Sequence, residues 1–354
     1  MRALMVVCRY LGDVLLVTPL AQSLKEAGYA VDWIVASGTE SLLEGQPWAD
    51  RVSIAGPGLS WAGHIALGRQ VFRRYEQAFV LPASDRPMAV AKLASKRVFA
   101  LLPGNRKQDA WKRRFSYRWI PYEPMSHMVS YGIHMAALAG LPKCRDVRFH
   151  WSEEDASKVE AALQWKRSSD YVQLHPFARW PYKWWQRDRW RQLIDHLLDK
   201  GFKVAITGSP NEVKAAEDLA AGYADSDLRV LAGMLNWRQL ACLAHHARLY
   251  VGLDTANTHL AAATDTPVVA LYGPTDPRIW GPWPNGFAGR SPYRQWVLGG
   301  IQRASHISLM QGEQGCVPCQ LEGCERHQQS ASACLEMMDA ERVWREMLYR
   351  LEAV

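Results

Sequence analysis

Short apolar runs alternate with segments of helical periodicity through the first 140 residues. Residues 2–8 predict a buried strand, residues 14–29 a helix closed by Gly28, and residues 30–37 a second strand. The same patterns predict strands at 51–56 and 77–82 and helices near 85–96 and 127–140. Because strands that alternate with helices form parallel sheets flanked by helices, the first half is predicted to be an α/β domain.

A second, clearer alternation follows a break at residues 141–169, where turn residues and one charged helix indicate a linker. Strands are predicted at 171–176, 202–208, 229–233, 248–254 and 267–273, and helices at 188–201, 211–222, 236–247 and 258–265. Each strand stops at a polar residue or glycine, as in open α/β sheets that bind ligands at the carboxyl ends of their strands. The second half therefore predicts a Rossmann-like domain, and the chain shows no internal sequence repeat or low-complexity segment.

Composition agrees with two domains and adds a preference for anionic partners. The chain has 354 residues, 48% of them hydrophobic, a net charge of +7 and 16 tryptophans. A basic protein rich in amphipathic rings favours nucleic acid, phosphorylated small molecules or a membrane surface. No apolar run approaches the roughly 20 residues that span a bilayer, and Arg9 and Asp13 come too early for a signal peptide. A cytoplasmic protein is expected.

Seven cysteines fit a reducing compartment better than a disulfide framework, because four of them crowd into residues 316–334. These are Cys316, Cys319, Cys324 and Cys334. Their spacing is compatible with a tetrahedral zinc site, but the second pair is irregular. No metal is the preferred interpretation, and the four-cysteine metal site stays open beside it.

The Gly12-Asp13 pair falls between the first strand and the first helix. A carboxylate at this point faces the crevice above a sheet, is kept ionised by the helix N-terminus and can accept a proton from a bound hydroxyl. The competing interpretation is an ordinary helix N-cap. The spacing alone leaves both open. The dinucleotide pattern G-x-G-x-x-G is missing here, which disfavours a nicotinamide or flavin enzyme.

Two further segments carry groups suited to a nucleotide. The loop at 174–190 follows a predicted strand and holds Arg179, Lys183, Arg187 and Arg189, cations that can neutralise a diphosphate or simply form a solvated basic loop. The turn at 207–212 ends in Glu212, which suits ribose hydroxyls and equally suits the first turn of a helix.

Residues 253–263 (LDTANTHLAAA) place five polar side chains at one strand-to-helix turn. The free N–H groups of a helix N-terminus attract phosphate oxygens, and Thr255 or Thr258 adds a hydroxyl. His259 lies in the first turn, close enough to donate to the same group. The alternatives are a packing histidine at 259 and an N-cap at Asp254.

Residues 102–119 interleave basic and aromatic side chains, a composition that suits a nucleic-acid strand, an anionic lipid surface or a plain solvated face. The cations expected to contact an acceptor or membrane surface are Arg106, Lys107, Lys112, Arg113 and Arg114. No helix-turn-helix, zinc-finger or RNP pattern accompanies them, so nucleic acid is not expected.

The Gly-Asp turn, the WPYKWW loop, TGSPNE and DTANTHLAAATDTPVVALYGPTDP together resemble glycosyltransferase family nine, the ADP-heptose:lipopolysaccharide heptosyltransferases. The likeness covers essentially the whole chain. The cysteine-rich tail followed by ACLEMM is similar to a branch that includes heptosyltransferase III proteins. The resemblance implies the GT-B architecture, two Rossmann-like α/β domains facing each other across a cleft. The expected domains are residues 1–165 for the acceptor, residues 166–335 for the nucleotide sugar, and a helix at 336–354 that packs back on the N-terminal domain.

The resemblance also assigns roles to residues. It implies that Asp13, after Gly12, is the catalytic base and that Lys183, near Arg179, binds phosphate. The nucleotide sugar is further expected to contact Glu212 at its ribose, Leu235 at its adenine, and Asp254, Thr255, Ala256 and His259 at its diphosphate. One departure stands out, since the family usually has glycine where this chain has Ala256. Either the donor sits differently there, or the turn is ordinary helix.

The implied activity is an inverting, metal-independent transfer of heptose from ADP-heptose to the inner core of lipopolysaccharide, with no cofactor required. No D-x-D carboxylate pair lies in a suitable loop, in agreement with this. The expected partners are the nucleotide sugar, a lipopolysaccharide core or lipid A precursor and, peripherally, the cytoplasmic face of the inner membrane; a monomer is expected. The alternatives are a sugar-nucleotide epimerase of GT-B-like fold and a non-catalytic member that binds the lipopolysaccharide precursor.

Overall fold

The computed structural model describes residues 1–56, 60–104, 107–123, 126–166, 170–294 and 300–352. The chain divides into two compact units. One comprises Met1–His150 with Gly286–Ser291, and the other comprises Trp151–Asn285 with Pro292–Val354. The sequence placed its domain boundary between residues 165 and 166, within the second of these units.

The first unit is a six-stranded parallel sheet with helices in its crossovers. Its strands are β1 (Arg2–Val7), β2 (Ala30–Val35), β3 (Arg51–Ile54), β4 (Gln77–Val80), β5 (Arg97–Leu102) and β6 (Arg118–Pro121). Its helices are α1 (Leu11–Leu16), α2 (Thr18–Glu26), α3 (Trp61–Val71), α4 (Asp85–Ala94), α5 (Ala110–Phe115) and α6 (Met128–Ala139), with a 3-10 turn at Glu40–Leu43. The strand order is β3-β2-β1-β4-β5-β6.

The helix predicted over 14–29 is two helices in the structure. Helix α1 ends before Val17, and α2 begins at Thr18 with Pro19 in its first turn. Proline has no N–H to donate to a preceding turn, so it is accommodated at a helix start and ends the helix before it. The predicted stop at Gly28 is confirmed, since this glycine has a φ of 79° in the left-handed region that closes helices.

The second unit contains a seven-stranded sheet. Its strands are β7 (Tyr171–His175), β8 (Lys203–Ile206), β9 (Leu228–Val230), β10 (Leu249–Leu253), β11 (Val268–Tyr272), β12 (Ile301–Ala304) and β13 (Ile307–Gln311). Its helices are α7 (Glu153–Leu163), α8 (Arg187–Asp199), α9 (Val213–Ala220), α10 (Trp237–His246), α11 (Ala256–Ala263), α12 (Pro277–Trp280), α13 (Ala333–Glu336) and α14 (Ala340–Glu352), with 3-10 turns at Pro181–Lys183 and Pro210–Glu212.

The two sheets share the order of five strands. The second sheet runs β12-β13-β11-β10-β7-β8-β9, so its segment β9-β8-β7-β10-β11 repeats the order β3-β2-β1-β4-β5 of the N-terminal sheet. All its neighbouring strands pair in parallel except β12, which lies antiparallel to β13 at the edge. In each sheet the strand order reverses beside the first strand, between β1 and β4 and between β7 and β10. Ligands of open α/β sheets bind at such a reversal, outside the carboxyl ends of the strands.

The charged helix of the predicted linker is α7, and it is part of the second unit. Its residues Ala156, Val159 and Leu163 are fully buried and share a core cluster with Cys242 and Leu243 of α10. A capping box between Ser152 and Asp155 begins the helix. The charged helix that suggested a linker is therefore an element of the second core, and its exposed acidic residues Glu153 and Glu154 lie on the solvent face.

The C-terminal helix α14 packs on the second unit, whereas the sequence placed it on the N-terminal domain. It contacts α8, β10, β11 and β13, and Val343 and Met347 are fully buried in the core of that unit. Its buried carboxylate, on Glu346, pairs with Arg303 of β12 at 2.6 Å. The apolar stripe of α14 shows that this helix must pack against a surface, but it does not show which surface. The burial of Val343 and Met347 and the ion pair between Glu346 and Arg303 place it on the second unit.

None of the helices in the described ranges is both long and apolar enough to cross a membrane.

Candidate active site

Asp13 lies in α1, directly after the carboxyl end of β1 and beside the reversal in strand order. It is 4% exposed. Its Oδ2 accepts a hydrogen bond from the Tyr10 amide at 3.3 Å, and its Oδ1 lies 3.8 Å from Arg9 Nε. Oδ1 is buried and makes no hydrogen bond with the residues that the structure describes. The carboxylate therefore caps its helix with one oxygen and leaves the other without a hydrogen bond, an arrangement compatible with both interpretations of the sequence.

Burial raises the pKa of Asp13 above its usual value, against the lowering effects of Arg9 and of the Tyr10 and Asp13 amides. The sequence had given the helix N-terminus the larger influence on this group. The structure corrects this, because removal from water disfavours the charged form more than nearby dipoles favour it. A carboxylate with a raised pKa is a better proton acceptor, which is what a general base needs. Gly12, its neighbour, is half-buried in the first turn of α1.

In the second unit, Asp254 and Lys183 form an ion pair at the carboxyl end of β10. Lys183 Nζ lies 2.6 Å from Asp254 Oδ2, and the Thr275 hydroxyl donates to the same carboxylate oxygen. Asp254 is buried, which alone would raise its pKa, but Lys183 and the hydrogen bond from Thr275 hold the pKa below its usual value. The Lys183 side chain is 21% exposed, so its charge is anchored on one side and accessible on the other.

Helix α11 begins at the same place, with Thr255 as its N-cap and Ala256 as its first residue. Ala256 is not among the described residues with positive φ. The turn is therefore ordinary helix, and it does not require the conformational freedom of glycine. Of the two alternatives raised by the departure from the family pattern, the backbone conformation agrees with ordinary helix, in which alanine can offer its N–H to an anion as glycine does.

The variant Ala256→Gly is accordingly expected to have a small effect. Glycine costs a helix about 0.5–1 kcal/mol relative to alanine, and less than that in the first turn. The affinity for ADP should change by less than about threefold, and the melting temperature should fall slightly. Calorimetric titration with ADP and thermal unfolding measure the two quantities. A gain in affinity of tenfold or more would show that the alanine methyl group obstructs the ligand.

His259 is 5% exposed and lies on α11 below the ion pair. Burial lowers its pKa to about 4, although the neighbouring Asp254 raises it. The imidazole is therefore neutral at physiological pH. Its Nδ1 is buried and has no hydrogen-bond partner among the described residues. Thr258 is different: its hydroxyl donates inward to the Leu253 carbonyl and contacts Tyr250, so the predicted second hydroxyl donor is structural.

The other residues predicted to bind the nucleotide follow neighbouring strands. Glu212 ends the turn after β8 and accepts a hydrogen bond from the Ser209 amide at 2.6 Å, the ordinary capping role that the sequence left open. Leu235, after β9, is half-buried against the core cluster of α7 and α10. Arg179 is exposed, with its guanidinium 4.7 Å from the Trp180 ring centroid. The predicted adenosine and phosphate contacts thus follow four strands, β7 to β10.

Sequence reasoning missed a buried polar chain at the end of β7. His175 Nδ1 lies 3.0 Å from the Thr207 hydroxyl, and His175 Nε2 lies 3.1 Å from Asn257 Nδ2. A signal was present, since His175 follows an apolar strand and Asn257 lies within the polar turn already singled out. Only the pairing of β7 with β10 brings them together.

The four clustered cysteines are free thiols. Cys334 is buried, and its pKa rises to about 12 through burial and through the neighbouring Cys319, Cys324 and Cys316. No group of three or more His, Cys, Asp or Glu side chains is arranged to hold a metal ion in the described ranges. The cysteine-bearing loop instead supports the ion pair, because Ser332 donates to the carbonyl of Tyr182 and Gln320 to that of Pro274.

Of the cations predicted to form an acceptor or membrane surface, Lys112 does not belong there. It is 5% exposed and pairs with Asp85 at 3.0 Å and Asp109 at 3.3 Å. Its position on the inner side of α5, next to two carboxylates, explains this. Lys107 and Arg114 are exposed and Arg113 is half-buried. Arg106 lies outside the described residues.

A carboxylate of raised pKa lies at the strand-order reversal of one sheet, and a lysine lies beside a helix N-terminus at that of the other. This arrangement is compatible with a glycosyltransferase. Comparison with known proteins agrees. The sequence profile of glycosyltransferase family 9 (heptosyltransferase) matches residues 65–289, and the chain belongs to this family. The resemblance inferred from the sequence is thereby confirmed, as is the enzyme class.

Individual relatives extend the likeness over most of the chain. Lipopolysaccharide heptosyltransferase 3 of Escherichia coli K12 is 28% identical over 288 residues, which cover 78% of this chain and 83% of the relative. The solved structure of E. coli ADP-heptose lipopolysaccharide heptosyltransferase II matches 100% of this chain and 99% of its own at a TM-score of 0.75 and 19% identity. That of the E. coli heptosyltransferase WaaC with ADP matches 99% of this chain and 100% of its own, at a TM-score of 0.71 and 20% identity. The predicted GT-B fold class is confirmed.

Proposed function

We propose that this heptosyltransferase transfers heptose from ADP-heptose to the inner core of lipopolysaccharide with inversion at the anomeric carbon, and that it needs no metal ion. The observation that carries the proposal is the anion site around Lys183, Asp254 and the N-terminus of α11. The names of the relatives, lipopolysaccharide heptosyltransferase 3 and ADP-heptose lipopolysaccharide heptosyltransferase II, support the choice of donor and acceptor.

In the proposed reaction, Asp13 Oδ1 accepts the proton of an acceptor hydroxyl while that oxygen attacks the anomeric carbon. One C–O bond forms as the C–O bond to the β-phosphate breaks, through an oxocarbenium-like state, and the electron pair leaves with ADP. A single displacement from the opposite face inverts the anomeric configuration. The protonated Asp13 then releases its proton to water.

The leaving ADP gains negative charge at its β-phosphate. Lys183 and the first-turn amides of α11 are placed to meet it, because a lysine already fixed by Asp254 and preorganised N–H dipoles need little rearrangement at the moment of reaction. These groups supply the positive charge that Mg²⁺ supplies to phosphates in other enzymes, so the proposed mechanism requires no bridging metal.

The direct test incubates the protein with ADP-heptose and defined truncated core acceptors, and measures the mass and anomeric configuration of the product. One added heptose with inverted configuration, formed equally in the presence of EDTA, is expected. Interconversion of the nucleotide sugar without acceptor would indicate an epimerase, and binding of acceptor without ADP release would indicate a non-catalytic member. Loss of activity in EDTA with recovery on adding a divalent metal would refute metal independence.

The proposed acceptor is an anionic glycolipid, and the first unit offers cationic features for it. A cavity of about 300 Å³ lies beside α6, lined by His134, Lys143, Arg145 and Arg290 among others and without an acidic residue among its described lining residues. Arg145 donates to the Ala288 carbonyl at 3.0 Å, which holds the 286–291 segment over the cavity. These cations suit the phosphate or carboxylate groups of a sugar chain.

A second cationic feature, here called the basic-aromatic surface, surrounds α5 and β6. Four of its rings are 37–47% exposed, namely Trp111, Phe115, Tyr117 and Trp119. Cations lie over three of them: Arg113 over Trp119 at 4.9 Å, Arg118 over Tyr117 at 5.0 Å and Lys92 over Phe115 at 5.8 Å. Exposed rings held beside cations match the interface of an anionic membrane. We propose peripheral attachment to the cytoplasmic face of the inner membrane through this surface.

Reversal of one charge tests the membrane proposal. Arg114→Glu removes a cation and adds an anion, and each charge near the surface contributes about 1 kcal/mol. Binding to vesicles that contain phosphatidylglycerol should therefore weaken by at least about tenfold in a sedimentation assay. Lys214→Glu is the matched control, since Lys214 is 87% exposed and lies in the second unit. Equal losses for the two variants would show only a dependence on net charge.

A further inference from the structure

We propose that Asn257 determines donor specificity by accepting, through its Oδ1, a hydrogen bond from a hydroxyl of the transferred sugar, and that His175 is the positioning residue that orients the Asn257 amide. This inference rests on the proposed function. It adds two residues to the donor site that the family pattern did not indicate. The observations that carry it are a directional hydrogen-bond chain and a buried oxygen at its end.

The direction of the chain begins at Thr207. This residue is fully buried, and its hydroxyl donates its single hydrogen to the Leu174 carbonyl at 3.1 Å. The oxygen can then only accept, from Gln173 Nε2 at 3.3 Å and from His175, so we infer that Nδ1 of His175 carries the ring proton and donates it.

The protonation state of His175 then determines the orientation of the Asn257 side-chain amide. Burial lowers the pKa of His175 to about 4, so the ring is neutral at physiological pH and Nε2 carries a lone pair. Nε2 accepts from Asn257 Nδ2 at 3.1 Å. The amide oxygen of Asn257 must face the other way. It is buried and makes no hydrogen bond with any residue in the described part of the chain.

A buried carbonyl oxygen without a partner is unfavourable because it has lost its hydrogen bonds to water, and a ligand with a suitable donor restores one. The diphosphate does not qualify, because its oxygens are acceptors at neutral pH and would repel another acceptor. A sugar hydroxyl qualifies. The chemistry of the site thus selects the hydroxyl-bearing parts of a nucleotide sugar, which are the ribose and the transferred sugar.

Position in the sheet distinguishes these two. The residues expected to contact ribose and adenine, Glu212 and Leu235, follow β8 and β9, whereas His175 ends β7 and Asn257 follows β10. In the strand order β10-β7-β8-β9, Asn257 therefore lies on the far side of the sheet reversal from the adenosine contacts. The transferred sugar is the remaining source of hydroxyls.

The test compares ADP with ADP-heptose by calorimetric titration without acceptor. Asn257→Leu removes both polar atoms at similar volume and should weaken ADP-heptose binding roughly 3- to 10-fold, the value of one hydrogen bond, while ADP binding stays within about twofold of the wild type. ADP retains the ribose, so it is the internal control. Asn257→Ser, which is too short to reach His175, should behave like Asn257→Leu and covers the case in which the leucine variant does not fold.

Two His175 variants test positioning. His175→Leu should reproduce the selective loss for ADP-heptose, whereas His175→Gln, which keeps an acceptor near the position of Nε2, should restore much of it. Equal weakening of ADP and ADP-heptose by Asn257→Leu, or no change in either, would overturn the inference. If the wild-type protein neither binds ADP-heptose nor transfers heptose, the proposed function itself fails, and that result is separate.

Discussion

Replacement of Asp13 by asparagine is expected to abolish sugar transfer and to leave ADP binding unchanged. Asparagine keeps the shape and an oxygen that can accept the Tyr10 amide, but it cannot take a proton from the acceptor hydroxyl. Loss of a general base typically costs 10²–10⁴-fold in rate. ADP should bind as in the wild type, because its proposed contacts all belong to the second unit. Steady-state transfer assays and calorimetry measure the two effects.

The stability of the same variant provides an independent check. The pKa of Asp13 is higher in the folded protein than in the unfolded chain, so the folded protein binds the proton more tightly. The associated stabilisation is present at low pH and is lost as the pH rises through the folded-state pKa. At neutral pH the buried carboxylate therefore opposes folding, and Asp13→Asn should not lower the melting temperature. Inactivity with a markedly lower melting temperature would point to misfolding instead.

The pH dependence of transfer follows from the same shift. The base is active when ionised, so the rate should fall as the pH decreases through the raised pKa of Asp13. Because Arg9 lowers this pKa, Arg9→Met should move the acidic limb of the profile to higher pH. The matched control for Asp13→Asn is Asp225→Asn, which should leave the pH profile of transfer unchanged because the Asp225 side chain is 90% exposed. Full activity in Asp13→Asn would exclude the proposed base.

Replacement of Lys183 by methionine should weaken both ADP binding and transfer. Lys183 is expected to contact the diphosphate, and its removal also leaves Asp254 as an unpaired buried carboxylate next to that anion. The affinity for ADP should fall by at least tenfold, and the transfer rate by about 10²–10³-fold, as for other groups that stabilise a developing charge. Lys214→Met, on the exposed surface, should change neither.

A double variant separates the two roles of Lys183. In Lys183→Met/Asp254→Asn the buried carboxylate no longer lacks a partner, so the melting temperature should recover relative to the single variant. Transfer should remain low, because the positive charge near the phosphates is still missing. An ADP affinity equal to that of the wild type in Lys183→Met would remove Lys183 from the phosphate site.

Five strands of the second unit, β7 to β11, were predictable because each is a short apolar run bounded by a polar residue or glycine, whereas β12 and β13 were missed. The first unit was harder. Strands β5 and β6 and helix α3 were missed. Arg97 and Arg118 each begin a strand, and β6 is largely exposed, so its pattern does not differ from that of a polar loop.

The candidate site divides in the same way. Asp13, Lys183 and the turn at 253–263 could be found from sequence, since each is a polar group directly after an apolar strand. The hydrogen bonding and the protonation state of each group could not be predicted from the sequence. The unbonded oxygen and the raised pKa of Asp13 depend on the burial of its side chain. The neutral form of His259 also depends on burial. The burial of a side chain depends on packing against segments that are far apart in the sequence, and local sequence patterns do not show that packing.

The sequence shows only the residue type of a side chain, whereas its contacts in the folded protein determine its role. Lys112 resembled the other cations of its segment, but its side chain is buried and pairs with the carboxylates of Asp85 and Asp109. His175 resembled a strand terminus, yet Thr207 and Asn257 give its two nitrogens opposite roles.

The sequence by itself determined the α/β class, the family and the polar turns, because these depend on period, apolar content and local motifs. Only the tertiary structure decided that α14 completes the second unit, that Lys183 is anchored by Asp254, and that the Asn257 oxygen is left without a partner. Each of these depends on contacts between residues far apart in the chain, and parallel strand pairing creates such contacts without leaving a local trace.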